Sequence, residues 1–296
     1  MSTYSYKSKT LPKSAVEVEI SIQWDAVSTK RAEVIAQAIT TVEVPGFRKG
    51  KAPRDLAEKQ LNPDKVYEMT IRGVIPTIYD EIIAKEKLNP IASPSIDLKE
   101  AKENEPWKLT MTIPLIPVVK LKDYKKAIKK AHEEAKEATS KEAVKKATTE
   151  DAASKEAVPE KPATAPLSKI FEILLSESEL EVPEIITQEE VNRRLTQLLD
   201  DMKKVGLTPA QYLESKKLTE EELQKQYYKD SEDMYKIEFI IAKIADTEGI
   251  KVDQSELETI LGQAKTDEER KIAARNMQWY ETLLRKQKVL DFLNAL

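Results

Sequence analysis

The chain of 296 residues has no cysteine and one histidine, His132. The first absence removes disulfides, thiolate nucleophiles and thiolate metal sites, and fits a reducing compartment. His132 stands in a Lys/Glu/Ala run with no fixed partner in the sequence, so it reads as a solvated helix residue rather than a catalyst or ligand. Glycine is scarce too, limited to Gly46, Gly50, Gly73, Gly206, Gly249 and Gly262. Glycines so far apart form no Walker or Rossmann phosphate cradle. There is no metal-ligand cluster. No run approaches the ~20 apolar residues that span a bilayer, and the polar stretch through Lys13 lacks the apolar core of a secretory signal. A soluble, cytoplasmic protein is expected. Acidic residues exceed basic ones, 52 to 48, for a formal charge of −4, which argues against general coating of nucleic acid. Neighbouring carboxylates such as Asp200 and Asp201 read as wet helix surface. No catalytic residue, cofactor or metal is assigned.

Against this background one segment stands out, Pro45–Gly46–Phe47–Arg48–Lys49–Gly50–Lys51–Ala52–Pro53. From Pro45 to Arg54 it carries Arg48, Lys49, Lys51 and Arg54 and no acid. The glycines permit positive φ and the prolines fix φ at the flanks, so the tip should protrude in a defined shape. Cations beside an aromatic suit an anionic docking partner with an apolar anchor point. The plainer alternative is a Gly/Pro turn whose Phe47 folds back into the core.

The surrounding pattern is α+β. Val16, Val18, Ile20, Ile22 and Trp24 alternate with polar residues and read as a half-buried strand. Ala32, Ile35, Ala36 and Ile39 follow at helical spacing up to the basic loop. Asn62 and Pro63 cap a further helix with a stripe of Val66, Met69, Val74, Ile78 and Ile82, which Gly73 and Pro76 should break or kink. Extended segments are expected at Ile91–Leu98 and Trp107–Leu115. Residues 122–166 then turn to Lys, Glu, Ala, Ser, Thr and Pro, a partly helical or disordered linker without a packed core, with little apolar surface beyond Leu121, Tyr124 and Ile128. Residues 167–296 read as helical, with capping-box patterns at Thr187/Glu190, Thr219/Glu222, Asp253/Glu256 and Thr266/Glu269, and a start at Thr208–Pro209. Apolar stripes run through Val191, Leu195, Leu198 and Met202, then Leu223, Tyr227, Met234, Ile237, Ile241 and Ile244.

The stretch Gly46 to Pro53 matches the Gly-Phe-Arg-x-Gly-Lys-x-Pro loop of bacterial trigger factor, and the first ~125 residues resemble that family's ribosome-binding domain, including Asn89–Pro94 and Pro117–Leu121 with Asp123 and Tyr124. Val182–Pro183–Glu184, Gly206–Leu207–Thr208 before Tyr212 and Leu213, and Glu248–Gly249–Ile250 stand in the order of the family's helical substrate-binding domain. The resemblance implies a ribosome-binding α+β domain at 1–121, the linker at 122–166 and a helical chaperone domain at 167–296. It further implies that Gly46, Phe47, Arg48, Lys49, Gly50, Lys51 and Pro53 dock on the large ribosomal subunit, on protein and rRNA near the nascent-chain exit. A weak homodimer is a further expectation.

The chain departs from the family where most members insert a peptidyl-prolyl isomerase domain. Such a domain needs glycine turns and an aromatic-lined pocket, yet no glycine lies between Val74 and Val205, and Phe171 is the only Phe there. The expected function is therefore a holdase that shields apolar segments of nascent polypeptides without isomerase activity. Met202, Tyr212, Tyr227, Tyr228, Met234, Met277 and Tyr280 are candidates for adaptable client contact, against the plain reading of each as core. A prolyl isomerase, or a helical adaptor using the basic loop on another partner, are the competing functions.

Overall fold

The computed structural model describes residues 3–147, 164–263 and 266–296. Its internal contacts divide the chain into two units, residues 1–116 with 183–186, and residues 117–182 with 187–296. The α+β class expected from the sequence holds.

In the first unit, β1 (Tyr4–Leu11), β2 (Ala15–Ile22), β3 (Ser95–Glu100) and β4 (Trp107–Pro114) form a sheet in the order β1-β2-β4-β3, every neighbour antiparallel. The alternation expected in β2 is present: Val16, Val18, Ile20 and Ile22 are buried opposite Ile113, Met111, Leu109 and Trp107. This apolar face packs on α1 (Trp24–Ile39) through Val27 and on α3 (Pro63–Glu86) through Ile75, Ile78 and Ile82. Trp24, read as the end of the strand, instead opens α1 and packs at the edge of the same core. The buried line of α1 is Val27 and Val34, whereas Ala32 and Ala36 face solvent. Alanine at helical spacing marks a face weakly, because its methyl gains little from either environment.

Asn62 caps α3 as expected, its side chain accepting from Asp64 and Lys65 N–H. The break expected at Gly73 and Pro76 does not occur; α3 runs unbroken through both. Pro76 and Arg72 are exposed, so the Arg72 carbonyl that loses its helical donor is available to water. A Cβ at Gly73 would lie 2.4 Å from Cε of Lys30 on α1, the far end of a flexible side chain that can move aside. The first extended segment starts as a strand only at Ser95, with Pro90 forming an isolated bridge to Leu115.

The second unit contains β5 (Lys120–Leu121) paired with β6 (Ser178–Glu179), and the helices α4 (Tyr124–Ala147), α5 (Leu167–Ser176), α6 (Glu184–Val205) apart from its first residues 184–186, α7 (Pro209–Lys216), α8 (Glu220–Thr247), α9 (Gln254–Gln263), α10 (Asp267–Arg275) and α11 (Met277–Asn294). The first half of the expected coreless linker is α4, and it does enter a core. Tyr124, Ile128 and Ala131 pack with Ala165, with Ile170 and Leu174 of α5, Ile240, Ile241 and Ile244 of α8, and Val289 and Leu293 of α11. Their spacing of four and three forms one stripe, and the small Ala131 permits close approach. The Pro/Ala stretch Val158 to Ala163 lies outside the described residues.

His132, expected on a solvated surface, sits beside that stripe and is 4 % exposed. The Ala165 backbone N–H donates to its Nδ1 at 3.0 Å, and its Nε2 lies 3.0 Å from the Leu293 carbonyl. An amide donor at Nδ1 requires a bare nitrogen, so Nε2 carries the proton and donates to Leu293. The ring thereby ties α4 to the chain entering α5 and to the end of α11.

Capping boxes form at Thr219/Glu222 and Thr266/Glu269, and Thr208 adds one with Gln211. At Asp253, Glu256 accepts from the backbone N–H at 2.9 Å. Thr187/Glu190 is not a cap, because α6 starts earlier, at Glu184. Thr187 is buried, and Glu190 accepts from Arg193 and Arg194 at 2.7 and 2.8 Å. The hydrogen bond from Arg193, aided by Arg194, holds the Glu190 carboxyl down at about 2 from an ordinary 4.5, although burial acts the other way. A depressed carboxylate stabilises the fold above its unfolded pKa, and that stability is lost as pH falls from about 4.5 toward about 2. With Arg193 largely in solvent, about 1–2 kcal/mol is expected. Urea unfolding of Glu190→Gln should show a deficit of that size at neutral pH that shrinks at pH about 3; a deficit independent of pH would refute the account.

Candidate functional site

The basic segment joins the end of α1 to α2 (Arg54–Glu58). Its shape is set by two successive β-turns. Phe47 N–H donates to the Val44 carbonyl at 3.1 Å, with Pro45 and Gly46 as the central residues and Gly46 at φ +83. Lys51 N–H donates to the Arg48 carbonyl at 2.9 Å, with Gly50 at φ +73. Both glycines occupy the third turn position, where positive φ is required and any side chain is strained. Gly50 has a second constraint, since a Cβ there would lie 3.1 Å from the Thr40 carbonyl oxygen. The second turn is thus seated on the end of α1.

Between the turns Phe47 is 44 % exposed and belongs to neither core cluster, which decides against its folding back. Arg48, Lys49, Lys51 and Pro53 are exposed with it. Lys49 reaches Glu43 at 3.9 Å, a contact between two solvated side chains. Arg54 is held by Glu58 at 2.8 Å one helical turn away. Arg48 and Lys51 form no ion pair among the described residues. Leu56 and Met69 are also exposed, and an open groove of about 460 Å³ lined by Ala38, Val42, Leu61, Val66 and Met69 runs between α1 and α3. Met69, expected in the apolar stripe of α3, lies on this outer surface. The segment offers cations and apolar surface, and no nucleophile or general base.

The residues expected to contact clients lie in the second unit, on α6, α7, α8 and α11. Met202 is 5 % exposed and packs in the interior, so it offers no surface. Met234 is exposed, while Tyr212, Tyr227, Tyr228, Met277 and Tyr280 are half-buried. Larger exposed apolar groups were missed: Trp279 at 61 %, with Ile272 and Leu283 on α10 and α11, Val205 at the end of α6 and Leu207 just after it. Trp279 meets Tyr280 edge to face with ring centroids 5.0 Å apart. The available signal was an aromatic pair flanked by Gln278 and Glu281, in a helix start too polar to bury both rings. No group of metal-ligating side chains exists among the described residues, and no described helix is long and apolar enough to cross a membrane.

Comparison with known proteins identifies the family. The model of the bacterial trigger factor protein matches residues 4–150, and that of the trigger factor C-terminus matches residues 153–293. Only residues 151 and 152 separate the two matches. Among curated relatives, the trigger factor of Natranaerobius thermophilus is 34 % identical over 124 residues, covering 42 % of this chain and 27 % of the relative. That of Limosilactobacillus reuteri is 30 % identical over 113 residues, covering 38 % and 26 %. The matched stretch thus spans about a quarter of the length of these relatives. A solved trigger factor chaperone chain, studied for promiscuous substrate recognition in folding and assembly, superposes with a TM-score of 0.57 over 98 % of this chain and 99 % of its own, at 15 % identity, a likeness of fold. Two family models that between them cover nearly the whole sequence place this chain in the bacterial trigger factor family.

Proposed function

We propose that this chain is a ribosome-associated holdase that docks through the Gly46–Pro53 loop and covers apolar segments of emerging polypeptides, without prolyl isomerisation. The observation that carries the reading is Phe47 held outward between Arg48, Lys49 and Lys51 by two glycine turns. Cations meet rRNA phosphates or acidic side chains of a large-subunit protein, and the phenyl ring fills an apolar recess beside them. The absence of an isomerase domain is supported by the abutting family matches and by the glycine-free interval. Client contact falls to the exposed and half-buried apolar groups of the helical unit, foremost Trp279, Ile272, Leu283 and Met234, with Tyr280 and Tyr212 beside them. Each such side chain contributes about 1.5–3 kcal/mol when covered, offset by ordering of the client, so coverage is multi-site and reversible.

The test is co-sedimentation of the full chain with vacant large ribosomal subunits across a salt series. Three loop cations that neutralise phosphates and displace their condensed counterions predict that log affinity falls against log salt with a slope of about −2 to −3. Affinity indifferent to salt, or no co-sedimentation at low salt, would overturn the docking mode. Catalysed cis/trans exchange of a proline peptide would overturn the lack of isomerase activity.

A further inference from the structure

The outer edge of the four-stranded sheet, β1, plays no part in the reading above. Two backbone hydrogen bonds fix which groups that edge presents. Gln23 N–H donates to the Thr3 carbonyl at 2.9 Å, and Leu115 N–H donates to the Ser14 carbonyl at 2.8 Å. In the β1–β2 register of Tyr6↔Ile20 and Lys7↔Glu19, the odd-numbered residues of β1 therefore bond to β2 and the even-numbered ones turn their N–H and C=O outward. The outward groups of Tyr6, Ser8 and Thr10 meet no further strand among the described residues.

Long edge strands are usually blunted by proline, a bulge or a covering segment. The opposite edge, β3, carries a bulge between Leu98 and Glu100. β1 has eight residues in unbroken register and no proline. Beside it runs an open groove of about 420 Å³ lined by Tyr4, Ser5, Tyr6, Ser8, Lys85 and Glu86. Its wall is fixed in place: Tyr6 Oη donates to Glu86 at 2.7 Å, and Lys85 Nζ lies 5.1 Å from the centre of the Tyr6 ring.

We infer that β1 takes up an extended acidic peptide by strand addition, the peptide bonding to Tyr6, Ser8 and Thr10 and placing carboxylates beside Lys7 and Lys9. The charge pattern selects this occupant. Lys7 and Lys9 are exposed on the polar face of the sheet, make no ion pair among the described residues, and have Glu19 and Glu17 as their partners on the inner side. An incoming strand with acids at alternate positions continues this Glu–Lys alternation outward, while its intervening residues face the groove along Tyr6 and Ser8. A second copy is disfavoured by the same charges. Antiparallel self-pairing centred on Ser8 sets Lys7 against Lys9 of the other copy twice over.

The experiment titrates the full chain with a labelled ten-residue peptide alternating Glu with Val and Thr, and with the same peptide carrying Lys for Glu. The acidic peptide should bind and slow amide exchange at Tyr6, Ser8 and Thr10, and the basic one should not. Ser8→Pro removes one outward donor and leaves the β1–β2 bonds untouched, so it should weaken binding about tenfold. Lys7→Gln with Lys9→Gln, which sets no like charges against Glu19 and Glu17, should abolish the preference between peptides, and this tests the proposal even if the proline variant folds poorly. Binding that leaves those three amides unprotected, equal binding of both peptides, no binding, or protection of the edge by self-association in the absence of peptide would each overturn it.

Discussion

Replacing Phe47, Arg48 and Lys49 together by alanine should lower affinity for vacant large ribosomal subunits by at least about a hundredfold while leaving the unfolding midpoint almost unchanged. The phenyl ring contributes about 1.5–3 kcal/mol when its exposed surface is covered, and each lost cation removes one counterion-releasing contact, so the slope against log salt should become shallower by about two. Stability is spared for local reasons. Phe47 packs in neither core, Arg48 makes no ion pair among the described residues, and the 3.9 Å contact from Lys49 to Glu43 joins two solvated side chains. Such a pair contributes at most about 1 kcal/mol. Gly46 and Gly50, which set the turns, are kept. Full co-sedimentation by the triple variant would remove the loop from the docking surface, whereas loss of binding with an altered unfolding curve would point to damage in the first unit instead.

The second large effect concerns His132. Its replacement by alanine should cost the fold about 3–5 kcal/mol, because two buried backbone groups, Ala165 N–H and Leu293 C=O, lose their partners and a cavity opens beside Ala131 and Ile128. His132→Gln should recover part of the loss, since an amide offers one donor and one acceptor. Urea unfolding measures the total, and amide exchange at Ala165 localises it. A loss under about 1 kcal/mol with unchanged exchange at Ala165 would mean that the ring is solvated, as its sequence neighbourhood implies.

Several features were legible in the sequence because they depend on local chemistry. The Pro45–Gly46 pair is turn chemistry by itself, and the caps at Asn62, Thr208, Thr219 and Thr266 need only residues up to three positions on. Strict alternation in β2 marked its buried face. Other readings failed where a distant partner decides. Nothing near His132 in sequence announces Leu293, 161 positions away, and the Lys/Glu/Ala composition of α4 conceals a stripe in which Ala131 and His132 face inward. Gly73 and Pro76 resemble helix breakers until the packing of Ile75, Ile78 and Ile82 on the sheet and the solvent-facing position of Arg72 are known. Thr187 and Glu190 have cap spacing, but the helix had already begun at Glu184.

By itself, then, the sequence determined the α+β class, the family and a basic loop whose glycines take positive φ, since each rests on residue types at short fixed spacing. Tertiary structure decided that Phe47 stays outside the core, that Met202 is interior while Trp279 is not, that α4 belongs to a core, and that β1, with Lys7 and Lys9, meets no further strand on its outer side among the described residues. Those properties depend on which surfaces distant segments cover, and burial is a property of the packed chain rather than of any residue type.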